Sequence, residues 1–107
     1  MVGNAEFVGE TTDYLSRAEF LEACGGLGQA VECITAWRGI TPVGQLAALG
    51  ILCRTGPGSS GAPGSRRLAA LLCRDERHIR RVLQALEATG HMRRAGRREW
   101  LWRLWPA

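Results

Sequence analysis

Residues 65–104 constrain the fold of this 107-residue chain more than any other stretch, because the spacing of their apolar residues changes from helical to alternating. Ser65 is a candidate N-cap for a short helix whose apolar stripe spans 68–72. Asp75 is the N-cap candidate of a second helix, and Gly90 occupies its left-handed C-cap position. The stretch therefore predicts two helices joined by a tight turn. Four apolar residues fall on one face of the second helix: Ile79, Val82, Leu83 and Leu86.

The opposite face of the second helix is polar and basic. At about 100° per residue, Arg77, Arg81 and Gln84 point away from the apolar stripe, and Arg80 lies on its flank. Arginine can donate two hydrogen bonds to guanine or hold a phosphate, and glutamine can pair with adenine. A basic face alone is typical of any solvated amphipathic helix. Two short helices joined by a tight turn, with this face on the second, favour a helix-turn-helix that binds nucleic acid.

After the second helix the apolar period alternates, which predicts a β-hairpin with one strand at 91–94 and a return strand at 98–104. Trp100, Trp102 and Leu104 share one face of the return strand. We expect Trp102 and Leu104 to cover the helical core. Like charges repel one another at the hairpin tip, which favours a bound polyanion. The arginines that crowd this tip are Arg93, Arg94, Arg97 and Arg98.

This pattern resembles the winged-helix branch of the helix-turn-helix DNA-binding proteins, which includes small bacterial and phage regulators of the multiple-antibiotic-resistance type. The resemblance covers Thr41 to Leu104 and lies in the apolar spacing of the two helices, in Gly90 and in the basic hairpin. It implies that the helix from Glu76 to Thr89 enters the major groove of DNA and that Arg94 to Arg98 forms the wing. The turn Cys73-Arg74-Asp75 lacks the glycine frequent in this family, and the very short wing leaves contact with phosphates as its expected role.

Charge is distributed unevenly along the chain. Residues 1–65 hold three arginines and six acidic residues, which gives −3. Residues 66–107 hold eleven arginines and four acidic residues, which gives +7 and, with the −3, the net charge of +4. A basic half joined to an acidic half indicates one polyanion-binding face and another face with a different role. Length and apolar content are those of one globular domain.

Further helices are predicted ahead of residue 65. Residues 1–13 are polar and are expected to form an arm, with weak strand character at 5–8. Ser16 and Glu19 form a capping box for a helix at 17–24, which two glycines end.

Two more helices are expected at 27–38 and 43–54, the second preceded by Thr41 as N-cap and Pro42 at its first position. The 43–54 segment is apolar nearly all round and is expected to be the most buried helix. Residues 56–64 are rich in glycine and predict a flexible loop with at most a minimal strand. The predicted organisation is an N-terminal arm (1–13) and one winged-helix domain (14–107), composed of a helical extension (14–40) and a winged-helix core (41–104).

The helical extension exceeds what a minimal winged helix needs. In similar regulators such extra helices commonly form a homodimer, which supplies the two-fold symmetry that pairs half-sites on DNA. The alternative is that these helices only wrap the core of a monomer.

Four cysteines lack the close pair that is typical of metal sites: Cys24, Cys33, Cys53 and Cys73. Each falls within or at the end of an apolar helix, so small buried thiols are favoured over an iron–sulfur cluster or a redox switch. Disulfides are not expected in a cytoplasmic protein. We expect no metal and no cofactor, and no nucleophile–base pair, P-loop or dinucleotide fingerprint supports an enzyme.

The expected function is transcription regulation through binding of double-stranded DNA. The protein is expected to be cytoplasmic and not to bind a membrane, since the sequence has neither a signal-peptide pattern nor an apolar run of transmembrane length. The helix at 76–89 is expected to enter the major groove, and the basic wing at 93–98 to hold the backbone. The alternative is a winged-helix interaction module that docks an acidic protein surface. The residues expected to contact DNA are Arg66, Arg67, Arg77, Arg80, Arg81, Gln84, Arg94, Arg97 and Arg98.

Overall fold

The structure is a computed structural model, and it describes residues 14–54, 61–96 and 98–104. Within these ranges the chain is mainly helical with a small antiparallel sheet, as the sequence predicted at this coarse level. The predicted arm at 1–13, most of the predicted loop, and Arg97 lie outside the described residues. In chain order the elements are β1 (Tyr14–Leu15), α1 (Arg17–Cys24), α2 (Leu27–Thr35), α3 (Pro42–Arg54), α4 (Ser65–Leu72), α5 (Glu76–Ala88), β2 (Met92–Gly96) and β3 (Glu99–Arg103).

Side-chain caps predicted from the sequence begin three of these helices. The Ser16 hydroxyl accepts a hydrogen bond from the Glu19 amide at 3.2 Å, and the Glu19 carboxylate accepts one from the Ser16 amide at 2.9 Å. At the start of α3, the Thr41 hydroxyl accepts from the Gly44 amide at 3.1 Å. At the start of α5, the Asp75 carboxylate accepts from the Arg77 amide at 3.1 Å. Each cap satisfies an amide that the first helical turn leaves without a backbone partner.

The prediction that Ser65 caps α4 is wrong. The N-cap is Gly64, and Ser65 is the first helical residue. Its hydroxyl instead donates to the Glu76 carboxylate, with 3.2 Å between the two oxygens, and so connects the starts of α4 and α5.

The predicted end of the second helix at residue 38 is also wrong, because α2 ends at Thr35. The chain leaves the helix early and brings Trp37 into the core, where its side chain is 3% exposed. The Trp37 ring lies 4.7 Å from the His91 ring and 6.4 Å from the Trp102 ring, measured between centroids. Burying this large ring outweighs three more residues of helix.

The sheet has the strand order β1-β3-β2, and both pairings are antiparallel. The sequence predicted the β2–β3 hairpin but not β1, in which Tyr14 pairs with Arg103 and Leu15 with Trp102. Because β3 is the central strand, Trp102 lies between β1 and β2 and its ring is 1% exposed. It stacks on Phe20 of α1, with ring centroids 5.4 Å apart.

Two burial predictions fail outside this aromatic group. Leu104 is 39% exposed, because β3 ends one residue earlier and the alternation stops there, while Trp100 is buried in its place. Leu46 is 49% exposed although we expected α3 to be buried nearly all round. Only one face of α3 packs inward, with Gly44, Ala47, Ala48, Ile51 and Leu52. None of the described helices is both long enough and apolar enough to cross a membrane.

Candidate nucleic-acid interface

α4 and α5 are joined by a turn of three residues that contains no glycine. Cys73 adopts the left-handed conformation usually taken by glycine at this position, with φ of 54°. The Arg74 amide then donates to the Ala69 carbonyl at 2.9 Å, which closes the end of α4. The two helices are thus held as a compact pair, with Asp75 capping the second.

The buried face of α5 determines which of its side chains reach solvent. Its four predicted apolar residues are all buried, so Arg77, Arg81 and Gln84 on the opposite face are exposed, as the helical period predicted. Within the described part of the chain, neither the Arg77 nor the Arg81 side chain forms an ion pair or a hydrogen bond. These two guanidinium groups face water with no carboxylate of the described residues beside them.

Arg80 is arranged differently from its neighbours on α5. Its guanidinium forms an ion pair with Glu76 one turn earlier, at 2.9 Å, and the Arg80 side chain is 64% exposed. Exposed pairs at this spacing contribute only about 0.3–0.5 kcal/mol. A phosphate can therefore displace the Glu76 carboxylate from Arg80 at little cost.

The β2–β3 hairpin is attached directly to α5. The Arg94 amide donates to the Glu87 carboxylate at 3.1 Å, and the Arg94 guanidinium lies 4.5 Å from the centroid of the Trp100 ring. A cation over an aromatic face is attracted by the ring quadrupole while its outer edge remains free to donate. The Arg94 side chain is exposed and is held against Trp100, its cross-strand partner near the turn of the hairpin.

The segment before α4 forms a strap across the turn of the hairpin. The Ala62 amide donates to the Arg98 carbonyl at 2.9 Å, a sheet-like hydrogen bond at the position where a minimal strand was expected. Gly61 has φ of +110°, and a Cβ on it would lie 2.7 Å from Arg98 Cβ and 3.0 Å from Arg98 O. Only glycine fits both this backbone conformation and this close approach. The strap fixes the backbone at Arg98.

Together α5, the strap and the hairpin enclose a cleft of about 350 Å³. Four of the nine residues predicted to contact DNA line it: Arg80, Gln84, Arg94 and Arg98. Glu87 also lines the cleft, and its carboxylate is engaged by the Arg94 amide. With three arginines and one glutamate among its lining residues, the cleft carries a net positive charge.

The remaining predicted residues lie around this cleft rather than in it. Arg81 lines a smaller cleft of about 230 Å³ with His78, between α5 and residues 39–44. Arg66 and Arg67 are exposed in the first turn of α4. Arg77 is exposed at the start of α5, and Arg97 lies outside the described residues.

One further feature of this region was missed by sequence reasoning. The Tyr14 ring lies under two guanidinium groups, with Arg103 at 5.0 Å and Arg93 at 5.6 Å from its centroid, so Arg93 is held at the sheet and not at the hairpin tip. A contact between residues so far apart in sequence as Tyr14 and Arg93 leaves no local pattern that could have indicated it.

The described residues contain no cluster of three or more His, Cys, Asp or Glu side chains that could hold a metal ion. Cys24 and Cys33 are half-buried, whereas Cys53 and Cys73 are exposed, so the prediction of buried thiols is wrong for the latter two. Cys73 is exposed because it forms the turn, and Cys53 because it lies on the outer face of α3.

Comparisons with protein-family models, with curated proteins and with solved structures found no match for this chain.

Proposed function

We propose that the protein is a transcription regulator that binds double-stranded DNA through a winged helix-turn-helix. In this proposal α5 enters the major groove and the β2–β3 hairpin is the wing that holds the backbone. The observation that carries the proposal is the cleft between α5 and the hairpin, where Arg80 of the helix and Arg94 and Arg98 of the hairpin converge. Arginines gathered on one concave surface attract a polyanion.

The exposed outer face of α5 supports a division of roles within this surface. Arg77, Arg81 and Gln84 project from the helix without partners among the described residues, and arginine and glutamine match the hydrogen-bonding edges of guanine and adenine. Arg80 is placed to contact either a base or an adjacent phosphate. The side chains proposed to hold phosphates are Arg66, Arg67, Arg94, Arg97 and Arg98.

The proposal includes a homodimer, since two-fold symmetry doubles the contacted site. It is supported by two large apolar side chains left on the surface of the N-terminal helices, Leu27 at 46% and Leu46 at 49% exposure. Sedimentation velocity of the free protein, and of its complex with a duplex that carries two half-sites, tests this part. A monomer in the free sample together with one chain per duplex in the complex would contradict it.

The experiment for DNA binding begins with selection of bound fragments from a random duplex pool. Binding of the selected duplex and of a scrambled duplex is then measured over a range of salt for the parent protein and three variants. We expect Arg81→Ala to lower discrimination between the two duplexes by about 1–3 kcal/mol. We expect Arg98→Ala to weaken both duplexes about equally and to reduce the salt slope by about one.

Arg54→Ala is the matched control, because it removes the same charge from the exposed end of α3 in the acidic half. It should leave both affinities and the salt slope almost unchanged. Thermal unfolding of each variant checks that the fold is retained. Equal effects of Arg81→Ala and Arg98→Ala on both duplexes would contradict the division of roles. Absence of any binding at low salt would overturn the proposal and favour an acidic protein surface as the partner.

A further inference from the structure

Two of the four cysteines, far from the basic cleft, lie in contact with each other. Cys24 is the last residue of α1 and Cys33 lies two turns into α2, and their sulfur atoms are 3.6 Å apart. Both are half-buried and both are free thiols. The proposed DNA-binding surface does not use either of them.

The connection between α1 and α2 brings these two thiols together. Gly25 and Gly26 both have positive φ, 99° and 122°, and their amides donate to the Leu21 carbonyl at 3.0 and 2.9 Å. This short reversal folds α2 back onto α1. A spacing of nine residues is not a known cysteine motif, so the sequence alone does not indicate this contact. The contact arises because α2 folds back along α1.

The separation of the two sulfur atoms suits covalent pairing. A disulfide has an S–S length of about 2.05 Å, so the sulfurs need to approach by roughly 1.5 Å. An approach of this size requires rotation of the two side chains and a slight closure of the α1–α2 reversal. No other described cysteine is recorded in contact with either thiol.

The two thiols have different roles in this contact. The Cys24 thiol donates its hydrogen to Cys33 Sγ. Burial, followed by this hydrogen bond and the neighbouring Cys33 sulfur, raises the pKa of Cys24 to about 11. Because Cys33 Sγ is the acceptor of this hydrogen bond, we assign Cys33 as the sulfur that attacks an incoming reagent in its thiolate form.

We propose that Cys24 and Cys33 are a redox modification site that forms a reversible intramolecular disulfide by exchange with a low-molecular-weight disulfide. The Cys33 thiolate attacks one sulfur of the reagent, which breaks the reagent's S–S bond, forms a mixed disulfide and releases one thiolate. Cys24 then gives its proton to the released thiolate and attacks Cys33 Sγ. This forms the Cys24–Cys33 bond, breaks the mixed disulfide and releases the second thiolate, which takes up a proton from water. The two protein sulfurs are oxidised together by two electrons, and the reagent is reduced to two thiols.

The test uses the full chain with the two exposed cysteines replaced, Cys53→Ser and Cys73→Asn, so that only the pair remains. Asn is chosen at 73 because it tolerates the left-handed conformation there. The protein is equilibrated with oxidised and reduced glutathione in a series of ratios, quenched with acid and measured by intact mass. We expect a monomer lighter by two hydrogen atoms, which returns to the starting mass when reduced glutathione is in excess.

Two single variants in the same background separate the roles of the two sulfurs. Cys24→Ser should accumulate the glutathione adduct on Cys33, because no second thiol resolves it. Cys33→Ser should form its adduct more slowly, since burial keeps Cys24 protonated. In the protein with both cysteines, a persistent glutathione adduct, a disulfide-linked dimer or an unchanged mass would each overturn the proposal.

Thermal unfolding provides a second measurement. The disulfide closes a loop from 24 to 33 in the unfolded chain, so the oxidised protein should melt on the order of 10 °C higher than the reduced protein. An unchanged or lower Tm after complete oxidation would show that the bond strains the α1–α2 hairpin and would contradict the geometry proposed. The inference does not depend on DNA binding and is decided by mass and Tm alone.

Discussion

The two halves of the molecule use their side chains in opposite ways. α1, α2 and the segment after them place Phe20, Ile34 and Trp37 in the interior, while their acidic residues remain on the surface. α4, α5 and the hairpin also contribute apolar residues, but they present most of the chain's arginines to solvent. The difference indicates that the N-terminal half supports the sheet from behind, whereas the C-terminal half carries most of the exposed positive charge.

The halves meet at the central strand. Trp102 of β3 lies between Phe20 of α1 and Trp37, and β1 pairs with the same strand. A hairpin of two strands alone is only marginally stable in water. The support from α1 and β1 therefore keeps the hairpin, and with it Arg94 and Arg98, in a defined position.

The largest effect is expected from Phe20→Ala, which removes a fully buried ring from the N-terminal side of this junction. Large-to-small changes of this kind cost about 3–5 kcal/mol, because packing is lost and a cavity remains. Urea unfolding measures the change. Leu71→Ala on α4 is the control, since Leu71 is 39% exposed and should cost less than about 1 kcal/mol. Similar costs for both would show that α1 does not support the sheet.

A second comparison uses two glycines, one in the strap before α4 and one in α2. Gly61→Ala should destabilise by about 1–3 kcal/mol, because the added Cβ would meet Arg98 at 2.7 Å in a backbone conformation that alanine disfavours. Gly28→Ala on α2 has nothing within 4 Å of the added Cβ and should stabilise by about 0.5–1 kcal/mol through helix propensity. Thermal unfolding measures both changes in stability, one expected to be a loss and the other a gain. A neutral Gly61→Ala would mean that the strap does not hold the hairpin.

Local patterns in the sequence were sufficient for the elements of both halves but not for their contacts. The capping box at Ser16, the Asp75 cap and the four apolar residues of α5 depend on neighbours within one or two turns, and all were predicted. The exposed arginines of α5 follow from the same helical period. Four of the nine predicted site residues share one cleft, a convergence that the sequence indicated only through the resemblance to winged helices.

The features that were missed depend on residues distant in sequence. The pairing of Tyr14 with Arg103 spans almost the whole described chain, and the early end of α2 depends on the pocket that Trp102 and His91 offer to Trp37. The contact of Cys24 with Cys33 depends on a helical hairpin rather than on a motif. Helical periodicity shows which face of a helix is buried, but it does not show which residues elsewhere in the chain pack against that helix.

A smaller effect is expected from pH at the boundary of the two halves. His91 is 2% exposed, and burial, followed by the nearby Arg103 charge, lowers its pKa below the usual 6.5. Its Nδ1 lies 2.8 Å from the Thr89 hydroxyl, and the ring faces Trp37. Above pH 6.5 the imidazole is neutral in both the folded and the unfolded chain. Below that pH the unfolded chain takes up the proton first, so the free energy of unfolding should fall as the pH is lowered.

Urea unfolding between pH 5 and pH 8 measures this decline. His91→Gln should flatten the part of the profile that lies below the ordinary histidine pKa, because the difference in proton uptake disappears. His78→Gln, at an exposed histidine of α5, is the matched control for the substitution itself. An identical decline in the His91→Gln protein would assign the effect to the carboxylates instead.

The smallest effect is expected from Cys73→Gly, in the turn that joins α4 to α5. Cys73 has φ of 54°, and this left-handed conformation costs an ordinary residue about 1–2 kcal/mol. Glycine removes that cost but loses more backbone entropy on folding, by about 0.5–1 kcal/mol, so the net gain should be about 0.5 kcal/mol. Cys53→Gly is the control with the opposite expected sign. Cys53 lies within α3, where glycine is a poor helix former and should destabilise. If Cys73→Gly also destabilises, the Cys73 side chain makes contacts that stabilise this turn. The surface of the basic half would then contribute to stability through packing, although its arginines are exposed.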